Sequence, residues 1–270
     1  MKVGVVGHVE WVDFVRVARL PRPGEIIHAR EAWAEAAGGG AVAAVELGRL
    51  AGHATLFTAL GNDDVGRRSQ AQLEALGLTV HAVGRPEPQR RAVTYVDDGG
   101  ERTITLLSRK LVARRTDPLP WAELDDFDGI YFTGGGPGAL QAARSARVLV
   151  ATARELETLR DARVELDALV SSATDPGERY EQGDLEPLPA LQVWTRGPDG
   201  GAYSVRGQTP LPYAAVPLPG PRVDAYGSGD CFAAGLTYGL AKRLPPEEAL
   251  ALAAVRGATA VTRKGAYGGA

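Results

Sequence analysis

Asp224-Ala225-Tyr226-Gly227-Ser228-Gly229-Asp230-Cys231-Phe232-Ala233-Ala234-Gly235 is the most informative stretch of the chain. Small residues at 227–229 let backbone amides turn inward with no Cβ in the way. The residues that follow place Phe232, Leu236 and Leu240 on one face of a helix, the pattern of a buried element. The start of such a helix presents unpaired N–H groups and a positive dipole end, which together attract an anion. Asp230, in the first turn, would stand beside that anion. A plainer reading is a capped helix start in which Asp230 only complements the dipole. The segment alone leaves both readings open.

Working outward, strands and helices alternate. Residues 2–7 read as a short buried strand ending at Gly7, and 9–17 as a second, half-exposed one. Pro21-Arg22-Pro23-Gly24 forces a turn. Gly38-Gly39-Gly40 opens a helix over 41–50 that stops near Gly52. A strand is expected at 54–59, a helix at 64–76, and further strands at 129–133, 148–151, 168–171 and 191–195. A helix is expected near 154–162, irregular or edge strands at 203–205 and 210–221, and two final helices at 229–243 and 246–261. This order predicts a mostly parallel sheet covered on both faces. Between 92–96 and 102–107, Asp97-Asp98-Gly99-Gly100 signals a hairpin. With residues 10–31, that hairpin is expected to form a small separate sheet.

Composition narrows the function. The chain has 270 residues, of which 44% are hydrophobic and 23% charged, enough for one large α/β domain with a sizeable core. Lys and Arg total 30 against 33 Asp and Glu, so no general attraction to nucleic acid or anionic membrane is expected. A single cysteine, Cys231, excludes an internal disulfide and a cysteine zinc site. The four histidines lack metal-ligand spacing. No GxxxxGK[ST] loop occurs, and Gly4–Gly7 followed by His8 does not supply the GxGxxG of a dinucleotide-binding turn. Neither a signal peptide nor a run of ~18 apolar residues is present, so the expected compartment is the cytoplasm.

The segment at 224–230 resembles the Asp-Thr-x-Gly-Ala-Gly-Asp signature of the ribokinase-like (PfkB) carbohydrate kinases. Asp224, Gly227, Gly229 and Asp230 are identical to it, with Ala225 and Ser228 replacing threonine and alanine. Four other stretches fall in the order that this family requires. They are Gly38-Gly39-Gly40 with Leu47-Gly48-Arg49-Leu50, Gly61-Asn62-Asp63-Asp64-Val65-Gly66, Thr195-Arg196-Gly197-Pro198-Asp199-Gly200, and Thr262-Arg263-Lys264-Gly265-Ala266. The resemblance spans nearly the whole chain. It implies a single ribokinase-like domain over 1–270, a three-layer αβα sandwich with a β lid from about 10–31 and 89–107, and transfer of the γ-phosphate of ATP to a sugar hydroxyl. A nucleoside kinase, or an inactive sugar- or nucleotide-binding protein on the same fold, stays open.

The same resemblance assigns roles. Asp230 is the catalytic base, and the amides of Gly227, Ser228 and Gly229 form the anion hole. Thr195, Gly197 and Gly200 line the nucleotide, with a hairpin turn as the plainer reading of the glycines, and Gly265 belongs to the closing loop. Gly39 and Gly40 lie on the substrate side. Asp224 matches a position that helps hold a monovalent cation such as K+, or else caps a turn. The family's Asn-x-x-Glu pair, which organises Mg2+, corresponds to Thr152-Ala153-Arg154-Glu155, with threonine for asparagine; otherwise Glu155 is an exposed helix residue. An aspartate that grips substrate hydroxyls falls on Val12, or with a one-residue shift on Asp13. Val42 stands where asparagine is common. Trp11 and Trp33 are near the substrate side but read first as packing residues. An exposed sheet surface carrying Val12, Phe14 and Ile104 would favour burial in a homodimer through the lid.

Overall fold

The computed structural model describes residues 1–268 and contains two sheets. The larger has the order β13-β12-β11-β10-β9-β8-β1-β4-β5. Its strands are β1 (Val3–Val6), β4 (Ala54–Gly61), β5 (Leu78–Arg85), β8 (Gly129–Phe132), β9 (Leu149–Thr152), β10 (Ala168–Ser172), β11 (Leu191–Thr195), β12 (Gly201–Val205) and β13 (Leu211–Tyr213). Pairings from β5 across to β11 are parallel, and β12 and β13 close one edge in antiparallel fashion. Parallel neighbours need crossovers, supplied here by α1 (Gly39–Ala51), α2 (Asp64–Ala75), α3 (Pro137–Ala143) and α4 (Leu156–Ala162), with α5 (Ser228–Ala241) and α6 (Pro246–Val261) at the end.

The strands are buried on both faces, so two cores flank the sheet. In β1, Val5 joins Leu47 of α1 and Leu236 of α5, while Val6 joins Phe132 and Leu140 of α3 on the other side. This is the expected αβα sandwich. The chain leaves β1 toward β4 on one side and returns as β8 on the other, so the strand order reverses there. The carboxyl end of β1 is therefore a topological switch point, where ligands bind in open α/β sheets. Among the described residues, no helix is long and apolar enough to cross a membrane.

The small sheet has the order β3-β2-β6-β7, from β2 (Glu10–Arg16), β3 (Glu31–Ala37), β6 (Arg91–Val96) and β7 (Arg102–Leu106). It extends past the expected 10–31, because β3 pairs with β2 along its full length. Glu31-Ala-Trp-Ala-Glu-Ala-Ala37 has a helix-former composition, and cross-strand pairing overrides it. β2 is also more buried than a half-exposed strand: Val12 and Phe14 are 0% exposed. They lie on the inner face, where Phe14 stacks on Trp33 at 5.0 Å and meets Tyr226 edge-on at 4.9 Å. They therefore form no exposed surface with Ile104, and the outer face instead carries Val15, Val93 and Tyr95, all half-buried.

Candidate active site

The start of α5 depends on Gly227. Its φ of 71° lies in the left-handed region, and a Cβ there would come within 2.8 Å of Val42 Cγ1. The amides of Gly227, Gly229 and Asp230 have no acceptor among the described residues, whereas Ser228 N is drawn toward Ala225 O at 3.4 Å. Three free amides thus converge at a helix N-terminus.

Asp230 stands in that first turn with no hydrogen bond or ion pair among the described residues. Its carboxylate faces α1: a Cβ on Gly39 would lie 2.7 Å from Asp230 Oδ1 and 3.0 Å from Thr133 Oγ1. Gly39 is thus required to leave the carboxylate open. Burial, with the nearby negative charge of Glu178, holds the Asp230 carboxyl up to about 7, against the opposing pull of Arg154 and Arg102. A carboxylate poised near neutrality beside free amides can accept a proton while an anion is held next to it.

Gly38 and Gly40 shape the same corner. Gly38 N donates to Tyr226 Oη at 3.0 Å, and Gly40 N donates to His8 O at 3.1 Å. Asp224 is a clamp: Oδ1 accepts from Tyr226 N at 2.8 Å and Oδ2 from Gly265 N at 3.1 Å. Next to it, Glu35 Oε1 accepts from Ala266 N at 2.8 Å. Burial raises the carboxyls of both Asp224 and Glu35. The 97–101 turn is tied to the same loop, because Ala225 N donates to Gly100 O at 3.1 Å and Arg102 Nη1 to Ala225 O at 3.0 Å.

Several expected residues fall elsewhere. Asp13 shares a face of β2 with Trp11, whose ring lies 4.5 Å from Arg68 of α2, and it pairs with Arg91 at 2.7 Å. That face points away from Tyr226. Glu10, on the inner face, is the carboxylate near the glycines: its Cγ lies 3.0 Å from where a Cβ on Gly38 would be. Burial would raise its carboxyl, but His8, Arg90 and Lys110 together hold it below the usual range. Glu155 is buried and ion-paired with Lys110, and Thr152 Oγ1 caps Arg154 N at 3.2 Å. Of the two carboxylates whose charge reaches Asp230, the stronger is Glu178, in a 3-10 turn (Pro176–Glu178) after β10, and the weaker is Glu10. Arg154 binds it at 2.7 Å and Asp175 at 2.6 Å. The signal for this pair was present as Asp175-Pro176-Gly177-Glu178, two carboxylates three residues apart, one strand later than Glu155.

Thr195, Gly197 and Gly200 form the turn between β11 and β12. Thr195 Oγ1 donates to Ser171 O at 3.1 Å, which fixes the turn beside β10, the strand that leads to Asp175 and Glu178. Trp33 is covered by Phe14 and by Lys264, whose Nζ lies 4.5 Å from its ring, so it packs rather than offering a free stacking face. Cys231 is buried, and burial pushes its thiol up, so no reactive thiolate stands beside Asp230. Among the described residues, no cluster of three His, Cys, Asp or Glu is able to hold a metal alone. The Asp175–Glu178 pair fits a hydrated Mg2+, which relies on few carboxylates and on substrate phosphates.

The chain matches a family model described as pfkB family carbohydrate kinase over residues 1–169 and 136–270. It is 28% identical over 198 residues to the ATP-dependent ribose-1-phosphate kinase of Halopiger xanaduensis. That alignment takes in 72% of this chain but spans only 60% of the length of that relative. Among solved structures, it is similar to Arabidopsis thaliana ribokinase complexed with ribose and ATP, with a TM-score of 0.72, 21% identity, and coverage of 98% of this chain and 93% of that one. The adenosine kinase from Sinorhizobium meliloti gives a TM-score of 0.77 at 19% identity, covering 97% and 94% of the two chains.

Proposed function

The chain belongs to the pfkB family of carbohydrate kinases, and on that premise we propose that it transfers the γ-phosphate of ATP to a sugar hydroxyl, with Asp230 as general base. The observation that carries this reading is the unpartnered Asp230 carboxylate, held up to about 7, in the first turn of a helix whose amides are free. Asp230 takes the proton of the acceptor hydroxyl. The amides of Gly227, Gly229 and Asp230, with Ser228 in the turn, hold the oxygens of the transferring phosphoryl group. Positioning and charge stabilisation supply most of the catalysis in such a transfer.

On the nucleotide side, Thr195, Gly197, Gly200 and Gly265 line the ATP site. Asp175 and Glu178, rather than Glu155, hold the water shell of Mg2+, which offsets phosphate charge when bound. Asp224 and Glu35, two adjacent buried carboxylates, are where a monovalent cation would be held. On the acceptor side, Gly39 and Glu10 take the place expected for Asp13. We assign the enzyme to the cytoplasm, where ATP is supplied, and its outer β-sheet face to a homodimer.

The test is ADP release from MgATP against a panel of pentoses, hexoses, sugar phosphates and nucleosides, with Asp230→Asn alongside. An acceptor-dependent signal that drops roughly 100- to 10,000-fold in the variant is expected. A signal that survives Asp230→Asn would remove Asp230 as the base. If no acceptor raises ADP release while sugars still bind, the protein is a binder and not a kinase.

A further inference from the structure

Glu46 stands alone in the buried face of α1. Every other residue of 40–47 is glycine, alanine, valine or leucine, and all are buried. The Glu46 side chain is only 1% exposed, and arginines take both of its oxygens. Oε1 accepts from Arg256 Nε of α6, and Oε2 accepts from Arg263 Nη1 at 2.8 Å, with Arg49 Nη1 3.5 Å away. Burial alone would raise the Glu46 carboxyl, but Arg263 and Arg256 together hold it below the usual range. One sequestered carboxylate thus gathers three guanidinium groups between α1, α6 and the loop after α6. Such clusters are costly to desolvate, and apolar side chains of similar volume often hold two helices together as well or better. Helix packing alone does not call for Glu46.

What the cluster reaches is the loop 262–268. Arg263 belongs to it, and its stem lies 3.6–3.7 Å from where a Cβ on Gly268 would be, so it spans the loop. Gly268 N donates to Lys264 O at 3.0 Å, and Arg49 Nη2 donates to Tyr267 O at 2.6 Å. α1 therefore grips the loop near both ends. Between those grips, Gly265 has a φ of 60° and its N–H donates to Asp224 Oδ2, while Ala266 N donates to Glu35 Oε1. Asp224 in turn holds Tyr226 N, one residue before Gly227. The two arginines bonded to Glu46 differ in one respect. Arg256 lies within α6, whereas Arg263 lies in the loop.

We propose that Glu46 and Arg263 are positioning residues for the nucleotide: they hold the 262–268 loop in the setting that presents Gly265 both to ATP and to Asp224. This deepens the kinase reading and rests on it for the place of ATP. The Glu46 carboxylate touches no ligand, because it is sealed between helices. Its effect runs through Arg263, and a loop that spends only a tenth of its time in the competent setting binds about tenfold more weakly. Neither Gly39 nor Glu10, on the acceptor side, hydrogen-bonds to this loop among the described residues, so acceptor binding is expected to change little.

The experiment is calorimetric binding of MgADP, which needs no acceptor, to wild type, Arg263→Met, Arg256→Met and Glu46→Gln. Each arginine variant removes one partner of Glu46 and leaves the others, so a purely structural role predicts the same outcome for both. The expected dissociation constant is about tenfold higher for Arg263→Met and for Glu46→Gln, and within about twofold of wild type for Arg256→Met. Equal weakening by the two arginine variants, or none by Arg263→Met, overturns the proposal. Weakening by Arg263→Met but not by Glu46→Gln overturns it too, since Arg263 would then act by touching the nucleotide. If Glu46→Gln does not fold, the arginine pair decides. In turnover assays, Arg263→Met should raise the ATP KM about tenfold and leave the acceptor KM within about twofold. An equal rise in both would mean a loosened fold and end the proposal. A wild type that binds no MgADP removes the kinase reading and this inference with it, a result distinct from binding that the variants leave unchanged.

Discussion

Asp230 carries a charge in a place that disfavours charge, and the consequences have a definite sign. Its native pKa of about 7 lies above the 3.8 of a free aspartate, so the native state binds a proton more tightly than the unfolded chain does. Stability therefore falls as pH rises from about 4 through 7, and kcat/KM rises over the upper part of that window as the base ionises. Asp230→Asn should melt higher than wild type at pH 8, by a margin equivalent to about 1 kcal/mol or more, and the gap should close toward pH 4. Melting curves of both proteins across pH would check this, and a gap independent of pH would contradict it. The residue itself is legible in sequence, because two glycines precede it at a helix start. Its carboxylate neighbours are not. The shift from Val12 to Asp13 is one position in β2, and one position flips a side chain to the opposite face of a sheet, away from the face that carries Glu10.

Two short turns after neighbouring strands each carry carboxylates. After β9 the chain places Glu155 against Lys110; after β10 it places Asp175 and Glu178 against Arg154. Spacing in sequence fits both turns, and only the fold tells them apart. Removing the negative charge of Glu178 eases ionisation of Asp230. Glu178→Gln should therefore move the acidic limb of the pH–rate profile to lower pH and raise the Mg2+ concentration needed for half-maximal rate. Glu155→Gln should leave the Mg2+ requirement near wild type. A larger Mg2+ effect from Glu155→Gln would return the metal role to that turn. Long periodic elements such as α1, α2, α5 and α6 are readable from sequence, as are the alternating strands. β3 and β5 are not, because β3 has an alanine-rich helical composition and β5 has an interrupted pattern, Leu78 to Arg85, at the sheet edge.

At the scale of the whole molecule, the small sheet is asymmetric. Its inner face packs Val12, Phe14 and Trp33 toward the loop of Tyr226, and its outer face presents Val15, Val93 and Tyr95 beside Ala32 and Ala34. An apolar row on one side of a four-stranded sheet is suited to cover by a second copy, as an isologous contact. Light scattering at micromolar concentration should give a dimer mass for wild type and a monomer mass for Tyr95→Lys with Val93→Lys. A monomeric wild type would rule out this surface. The expectation of a sheet-mediated dimer came from sequence, but on the wrong side chains: Val12 and Phe14 are interior, and only pairing with β3 and β6 reveals which face of β2 is turned outward.

The buried thiol of Cys231 has a practical meaning for anyone who wishes to watch the small sheet move. It is the sole cysteine, and burial keeps it protonated. Maleimide dyes and spin labels react with thiolates, so they will pass it by in the folded protein. A cysteine introduced at exposed Ile26, or at Gly99 in the hairpin turn, would then be the single site of attachment, with the native sequence around Asp230 left intact. Distances between a probe in that hairpin and a second one introduced in the main sheet become measurable without first engineering away a residue of α5.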